Sequence, residues 1–344
     1  MSPIGAPPAH FDSGVRLPER EYLREFGPGR YFGPAREPIA LPKGRSTAAE
    51  HRFGSPDTED KLARLRAYLP AFTTALRRQG FVLIYIDAFA GSGKRTEELP
   101  ALPLLGGNDA EPQTVDVPGS ARLAIEATPP FHRFVLIENH PKRYAALHRL
   151  RAEFPQREIE CHKGDANLLV RELCRTTPWR RAKGIRGVIF LDPYGMEVEW
   201  ETVKAIAQTE ALDVWYLFPL MGIYRQAAKN AVAIDDKKRA LITRVLGTDE
   251  WEDAWYDTPV GQKDMFDHHQ TAIRMVNVDT IESYVKSRLE SVFKGAVLEP
   301  FRTHTKKGAP LASLFFAVSN PRAVKVATNI ASYILRQPAR RGRR

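Results

Sequence analysis

The run Phe81-Val-Leu-Ile-Tyr-Ile-Asp87 constrains this chain more than any other segment. It is continuous, β-branched and aromatic, without polar alternation, as a strand buried on both faces of a parallel sheet must be. It ends on an acid and breaks at once into Gly91-Ser92-Gly93. Similar short runs return at Phe134 to Glu138, Val188 to Asp192 and Val214 to Phe218, and a weaker strand from Arg157 to Glu160 ends at Cys161. Between them lie segments with helical spacing, Tyr144 to Phe154 and Trp200 to Thr209. Strand and helix in alternation predict an α/β fold, Rossmann-like, with a mostly parallel twisted sheet. Val297 to Thr303 and Leu311 to Val318, joined by Lys306-Lys307-Gly308, predict an antiparallel hairpin at the sheet edge, and a last helix is expected from Pro321 to Leu335.

Before the first strand, Ser55 to Asp57 can cap a helix from Thr58 to Arg78. Leu62, Leu65, Leu69, Phe72 and Leu76 recur on one face, Arg64, Arg66, Arg77 and Arg78 lie off it, and Gly80 ends it. Residues 1–53 are rich in Pro, Gly and charge and read as an extended arm, residues 54–335 as one domain, and residues 336–344 as a basic tail, solvated or a nucleic-acid arm. Two stretches exceed a minimal doubly wound domain, 94–119 and 222–290; insertions at strand ends form lids and substrate surfaces, or simple decoration.

The 344 residues carry a formal net charge of +10, which favours a polyanionic partner such as nucleic acid. No apolar run approaches the roughly 20 residues needed to span a bilayer, and Met1 to His10 lacks the order of a signal peptide, so no membrane association and a cytoplasmic location are expected. Cys161 and Cys174 have no partners at metal-ligand spacing and read as reduced thiols.

The turn Asp87-Ala88-Phe89-Ala90-Gly91-Ser92-Gly93-Lys94 admits more than one nucleotide chemistry. A phosphate loop needs Gly at the position of Ala88 and a hydroxyl after Lys94, where Arg95 stands. A dinucleotide fingerprint needs a third glycine and a helix opening directly after the turn. S-adenosylmethionine (SAM) fits better: its ammonium wants a carboxylate such as Asp87, and its carboxylate wants backbone donors around Ala88, Phe89, Gly91 and Gly93. A purely structural glycine turn is the alternative. Downstream, Glu138 ends a strand where a carboxylate accepts two ribose hydroxyls, Asn139 follows as a neighbour of the adenine, and Asp165 with Ala166 can receive the exocyclic amine. Each acid alone reads as a loop residue or helix cap; three in succession at one sheet edge read as a site.

Asp192-Pro193-Tyr194-Gly195 closes the next strand beside the expected methyl donor. A carboxylate and a proline-fixed carbonyl can align a substrate amine while an aromatic ring stacks on a planar base. These residues resemble the Asp-Pro-Pro-Tyr signature of amino methyltransferases acting on adenine, with one proline missing. The alternative is a strand-ending turn with Asp192 as a cap.

Taken together, Phe53-Gly-Ser-x-x-Thr-Glu-Asp-Lys-Leu62, Tyr85-Ile-Asp-Ala-Phe-Ala-Gly-Ser-Gly93, Leu191-Asp-Pro-Tyr-Gly-Met196 with Trp200, and Leu217-Phe-Pro-Leu220 resemble the three-Cys-motif partner family over roughly Phe53 to Leu335. That resemblance implies a class I methyltransferase domain, SAM as cofactor and a link to a separate protein carrying three cysteines. Lys61, in Thr58-Glu-Asp-Lys61, is expected as a polar contact at the cofactor site, or else as part of a charged first helical turn.

His132, His140, His148 and His162 lack the spacing of a metal site, and no Gly-x-Ser-x-Gly elbow is present. Trp251, Trp255 and Tyr256 among acids suggest a partner seat or ordinary helix packing. The leading expectation is methyl transfer from SAM to an amine, on a nucleic-acid base. The rival is a Rossmann-like protein that binds nucleic acid or docks a partner without chemistry. A phosphate-transferring enzyme rests only on Lys94.

Overall fold

A computed structural model describes residues 56–99, 113–180, 184–257, 272–305 and 307–338. The expected arm 1–53, most of the basic tail and the tips of both insertions lie outside them. In chain order the first elements are α1 (Pro56–Leu76), β1 (Val82–Asp87), β2 (Lys94–Leu99), β3 (Gln113–Pro118), α2 (Ser120–Ile125), β4 (Arg133–Glu138), α3 (Pro141–Glu153), β5 (Glu158–Lys163), α4 (Ala166–Thr176), β6 (Ile185–Leu191), α5 (Trp200–Gln208) and β7 (Leu212–Phe218). There follow α6 (Leu220–Gln226), α7 (Asp236–Leu246), α8 (Trp251–Trp255), β8 (Tyr256–Asp257), β9 (Ile273–Arg274), α9 (Val278–Glu290), β10 (Ala296–Val297), β11 (Phe301–His304), β12 (Pro310–Val318) and α10 (Val324–Leu335).

The apolar runs become the core of one sheet, ordered β10-β12-β7-β6-β1-β4-β5, with β11 also paired to β12. Strands β5, β4, β1, β6 and β7 are parallel, and β12 runs antiparallel to β7. The chain leaves β1 towards β4 and β5, then returns to place β6 on the other side of β1. That reversal opens a crevice beyond the carboxyl end of β1, where ligands of open α/β sheets bind. Leu83, Tyr85, Phe134, Leu136, Val188, Phe190, Trp215 and Phe316 form one core face with residues of α1, α2, α3 and α10. On the other face Leu191, Val214, Tyr216 and Phe315 meet Val203 and Ile206 of α5 and Leu289 of α9.

Two differences from the sequence reading have physical causes. The predicted strand Val297 to Thr303 is two short strands, interrupted before Phe301 by Pro300, which has no N–H for a ladder. The expected antiparallel hairpin is nevertheless present at that end of the sheet, where β11 and β10 both pair with β12 and β12 runs beside β7. Arg64, expected off the apolar stripe of α1, is 4% exposed. It donates to the carbonyls of Asp60 (3.0 Å) and Gln337 (2.6 Å) and lies 3.3 Å from the Phe301 ring centroid. Chain segments from β11 and beyond α10 cover that flank of the helix, and the guanidinium brings its own hydrogen bonds and stacking.

Both insertions contain regular structure. Residues 94–99 and 113–118 pair as an antiparallel ribbon, from Lys94 opposite Pro118 to Leu99 opposite Gln113. The second is largely core packing: Ile281, Val285 and Leu289 of α9, and Trp251 and Trp255 of α8, are buried.

Candidate active site at the carboxyl ends of β1, β4, β5 and β6

The turn after β1 is pinned between its neighbours: Ala88 N donates to Phe190 O (3.1 Å) on β6 and Ala90 N to Ile137 O (2.9 Å) on β4. Gly91 and Gly93 both have positive φ, 61° and 73°. Their surroundings differ. A Cβ on Gly93 would lie 2.6 Å from Leu150 Cδ2, so this glycine lets α3 pack under the turn. A Cβ on Gly91 would meet only the Tyr194 hydroxyl, at 4.0 Å. Lys94, the residue a phosphate loop would need, starts β2 instead.

Asp87 is fully buried, and burial pushes its carboxyl up to about 7. The nearby Ser120 hydroxyl, Tyr85 phenol and Phe89 amide offset part of that push, while the charge of Asp192 adds to it. Tyr85 donates to Oδ2 at 3.2 Å, and Oδ1 completes no hydrogen bond among the described residues. A buried oxygen left without a partner at a ligand crevice is a ready acceptor for a donor from outside the protein.

Ala88, Phe89, Glu138, Asn139, Asp165, Ala166 and Tyr194 line one cleft of 490 Å³. Glu138 is 4% exposed; its Oε1 accepts from the His140 amide (2.7 Å) and pairs with Arg143 (3.0 Å). Asp165 caps α4, accepting from Leu168 N at 3.0 Å, so one of its oxygens is already engaged. Asp87, Gly91, Gly93, Lys61, Asp192 and Pro193 lie behind or beside that lining.

Asp192 and Lys61 are brought together across 131 residues of sequence. The Lys61 ammonium donates to both carboxylate oxygens of Asp192, at 2.8 and 2.6 Å, with side chains 13% and 21% exposed. Lys61 thus holds the acid of the Asp192-Pro193-Tyr194 turn. Pro193 is buried, whereas the Tyr194 ring is 49% exposed and takes the Arg143 guanidinium 4.5 Å from its centroid.

Arg143, Glu197, Glu199, Asn167 and Arg244 also line the cleft, and the sequence reading does not single them out. Arg143 stands one helical turn past Glu138, a position with a weak sequence signal. Asn167 joins the strand ends, donating to Glu197 O (2.9 Å) and accepting from Glu199 N (2.9 Å). A larger hollow of 820 Å³ lies between the C-terminal ends of α4 and α5, lined by Arg171, Arg175 and Arg180. Helix carbonyls point there and those guanidiniums are paired with Glu199, Glu172 and Glu210, which is helix-end neutralisation.

Both cysteines are unpaired, and burial pushes Cys174 up to about 12 and Cys161 to about 11, so neither is a nucleophile at neutral pH. The described residues contain no cluster that could hold a metal ion and no helix long and apolar enough to cross a membrane.

No family model matches the sequence, and no curated protein does. Among solved structures, the chain is similar to protein LPL1258 from Legionella pneumophila, with 14% identity over 82% of this chain and 93% of that one, at a TM-score of 0.44. It is also similar to a putative methyltransferase, YhhF, from Escherichia coli (16% identity, 46% and 69% covered, TM-score 0.27). The N-terminal domain of EvdMO1 with SAH bound matches at 9% identity over 72% and 80%, with a TM-score of 0.33. At these scores the likenesses decide nothing about chemistry, which rests on the site itself.

Proposed function

We propose that this protein is a SAM-dependent methyltransferase with its cofactor in the cleft at the strand ends. The observation that carries the reading is the buried Asp87, one oxygen unpartnered, at the switch point of the sheet. The donor set fits the group. An ammonium, two ribose hydroxyls and an exocyclic amine are all donors; Glu138 and Asp165 line the cleft and the buried Asp87 stands behind its lining to receive them. A triphosphate in the same place would face Glu138, Asp165, Glu197 and Glu199, a repulsion that disfavours the phosphate-transfer alternative. When bound, SAM would supply a methyl group on a cationic sulfur. Asp87 would hold the ammonium, those turn amides not taken up in the bonds of Ala88, Ala90 and Gly93 the carboxylate, and Glu138, kept in place by Arg143, the ribose.

The acceptor in this reading is an amine on a nucleic-acid base, received by Asp192 and the Pro193 carbonyl with Tyr194 as the stacking ring. An acceptor amine would share Asp192 with the Lys61 ammonium, which already donates to both carboxylate oxygens. That ion pair is also the one observation favouring the second reading, a non-catalytic protein that keeps the cleft and docks a three-cysteine partner. The proposal includes that partner, a place in the three-Cys-motif partner family and a cytoplasmic setting.

Calorimetric titration with SAH tests the cofactor. Binding in the micromolar range is expected for the wild type and none for Asp87→Ala; a wild type that binds neither SAM nor SAH sinks the proposal. Asp192→Ala is expected to keep binding within about threefold while abolishing transfer to nucleic acid. Cofactor binding without transfer to DNA, RNA or protein, alone or with the partner, would establish the second reading.

A further inference from the structure

Arg143 stands in the first turn of α3, which Pro141 opens. A cation there meets the positive end of the helix dipole, so the position by itself disfavours arginine. Two contacts made by different parts of one guanidinium offset that cost. A terminal nitrogen pairs with Glu138 Oε1 at 3.0 Å, and the guanidinium carbon lies over the Tyr194 ring, 4.5 Å from its centroid. A planar guanidinium can do both at once, because its hydrogen bonds lie in its plane and its stacking uses the face.

Each partner belongs to a different part of the site. Glu138 closes β4 and is 4% exposed, and its Oε1 also accepts from the His140 amide at 2.7 Å. Tyr194 belongs to the loop after β6. Its amide donates to Glu197 Oε2 at 3.4 Å, and its hydroxyl reaches the turn after β1, 4.0 Å from where a Cβ on Gly91 would stand. Burial pushes the Glu197 carboxyl up, and the Tyr194 amide and the charge of Arg143 offset part of that push. Glu138, Arg143, Tyr194 and Glu197 line the same cleft. The ring thus rests against a cation, and the cation against the carboxylate at the end of β4.

We infer that Arg143 is a positioning residue that couples Glu138, on the cofactor side of the cleft, to the ring of Tyr194 on the acceptor side; the inference rests on the methyltransferase reading. Tyr194 keeps the guanidinium against Glu138, and Glu138 keeps it over the ring, so order imposed at either end is passed to the other. A ribose that fixes Glu138 thereby fixes the ring on which a planar acceptor stacks. By linkage, cofactor and acceptor then favour each other's binding.

The test is a double-mutant cycle on SAH affinity, by titration calorimetry with the full chain. Tyr194→Ala should weaken SAH binding about fivefold when Arg143 is present and less than about twofold in an Arg143→Met background. A ring that merely touched the cofactor would cost the same in both. Tyr194→Phe keeps the ring and should bind SAH within about twofold of the wild type. Arg143→Lys keeps a charge for Glu138 without the plane that lies over the ring. It replaces Arg143→Met in the cycle, with the same expectation, if that variant is unfolded by circular dichroism. The inference is overturned if the losses from the two positions add, if Tyr194→Ala costs nothing beside Arg143, or if Tyr194→Phe loses as much as Tyr194→Ala. A wild type that binds no SAH removes the methyltransferase reading and this inference with it, whereas SAH binding with additive losses removes this inference alone.

Discussion

At the scale of single residues, two carboxylates at the switch point are held in opposite ways. Asp87 is buried beside the Tyr85 phenol and pushed up to about 7, whereas Asp192 is clasped by a full ammonium. Because the folded Asp87 holds its proton more tightly than the ordinary value of 3.8, its ionisation costs stability: that cost is absent at low pH and grows as pH rises through the window from about 4 to 7. Binding of a cationic ligand runs the other way, since it needs the carboxylate. SAM affinity should therefore fall by about tenfold per pH unit below 7 and level off above it. Calorimetry between pH 5.5 and 8.5 checks this; Asp87→Asn should show weak binding with a flat profile and a higher Tm than the wild type at pH 8. The Lys61–Asp192 pair is testable by a double-mutant cycle. Lys61→Met strands a partly buried carboxylate and should cost about 1–3 kcal/mol in urea unfolding. Lys61→Met with Asp192→Asn should recover most of that loss. If the single and double variants lose the same amount, the pair is not coupled. Asp87, Glu138 and Asp192 were readable in the sequence because each closes an apolar run. The clasp was not, because no local pattern connects residues 131 apart.

At the scale of elements, α1 depends on a second buried pair, far from the cleft. Tyr68 of α1 donates to Asp213 Oδ2 of β7 at 2.6 Å, both side chains are buried, and burial raises the Asp213 carboxyl to about 7 against the pull of that hydrogen bond. The folded state again prefers the protonated acid, so its contribution is greatest below about pH 4 and is lost as pH climbs to 7. Asp213→Asn keeps an acceptor for Tyr68 and carries no charge. It should raise Tm at pH 8 by more than at pH 5, measured by scanning calorimetry; an equal shift at both would show that ionisation of Asp213 is not the source. The elements themselves were legible wherever burial was two-sided: β1, β4, β6 and β7 follow their apolar runs closely, with buried charged residues confined to the ends of the strands, at Asp87, Arg133, Glu138 and Asp213. The ribbon β2–β3 was not, since Lys94-Arg-Thr-Glu-Glu-Leu99 has neither an apolar stripe nor alternation, and its order comes from pairing with a segment 19 residues away. Arg64 misled for a related reason: its hydrogen bonds and ring contact come from residues 60, 301 and 337, two of them remote in sequence.

At the scale of the whole molecule, the sheet order makes a site and the insertions are built onto its rim. The first insertion leaves and re-enters through one closure: Gly119 N donates to Gly93 O at 3.0 Å, Lys94 pairs with Pro118, and a Cβ on Gly119 would stand 3.1 Å from the Gly93 carbonyl carbon. Both ends of the ribbon are fixed by the body before it begins, so the body does not need the ribbon in order to close the turn after β1. Paired strand residues lie about 5 Å apart, which a two-residue turn spans. Replacing residues 95–117 by Asn-Gly should give a protein that unfolds cooperatively with Tm within about 5 °C of the wild type. SAH binding should stay within about threefold, because Asp87, Glu138 and Asp165 belong to the body. Transfer to a macromolecular acceptor should fall much further if the ribbon is a substrate surface, and should be unchanged if it is decoration. Loss of SAH binding in a folded excision variant would instead make the ribbon part of the cofactor site, with the turn after β1 depending on it for its shape.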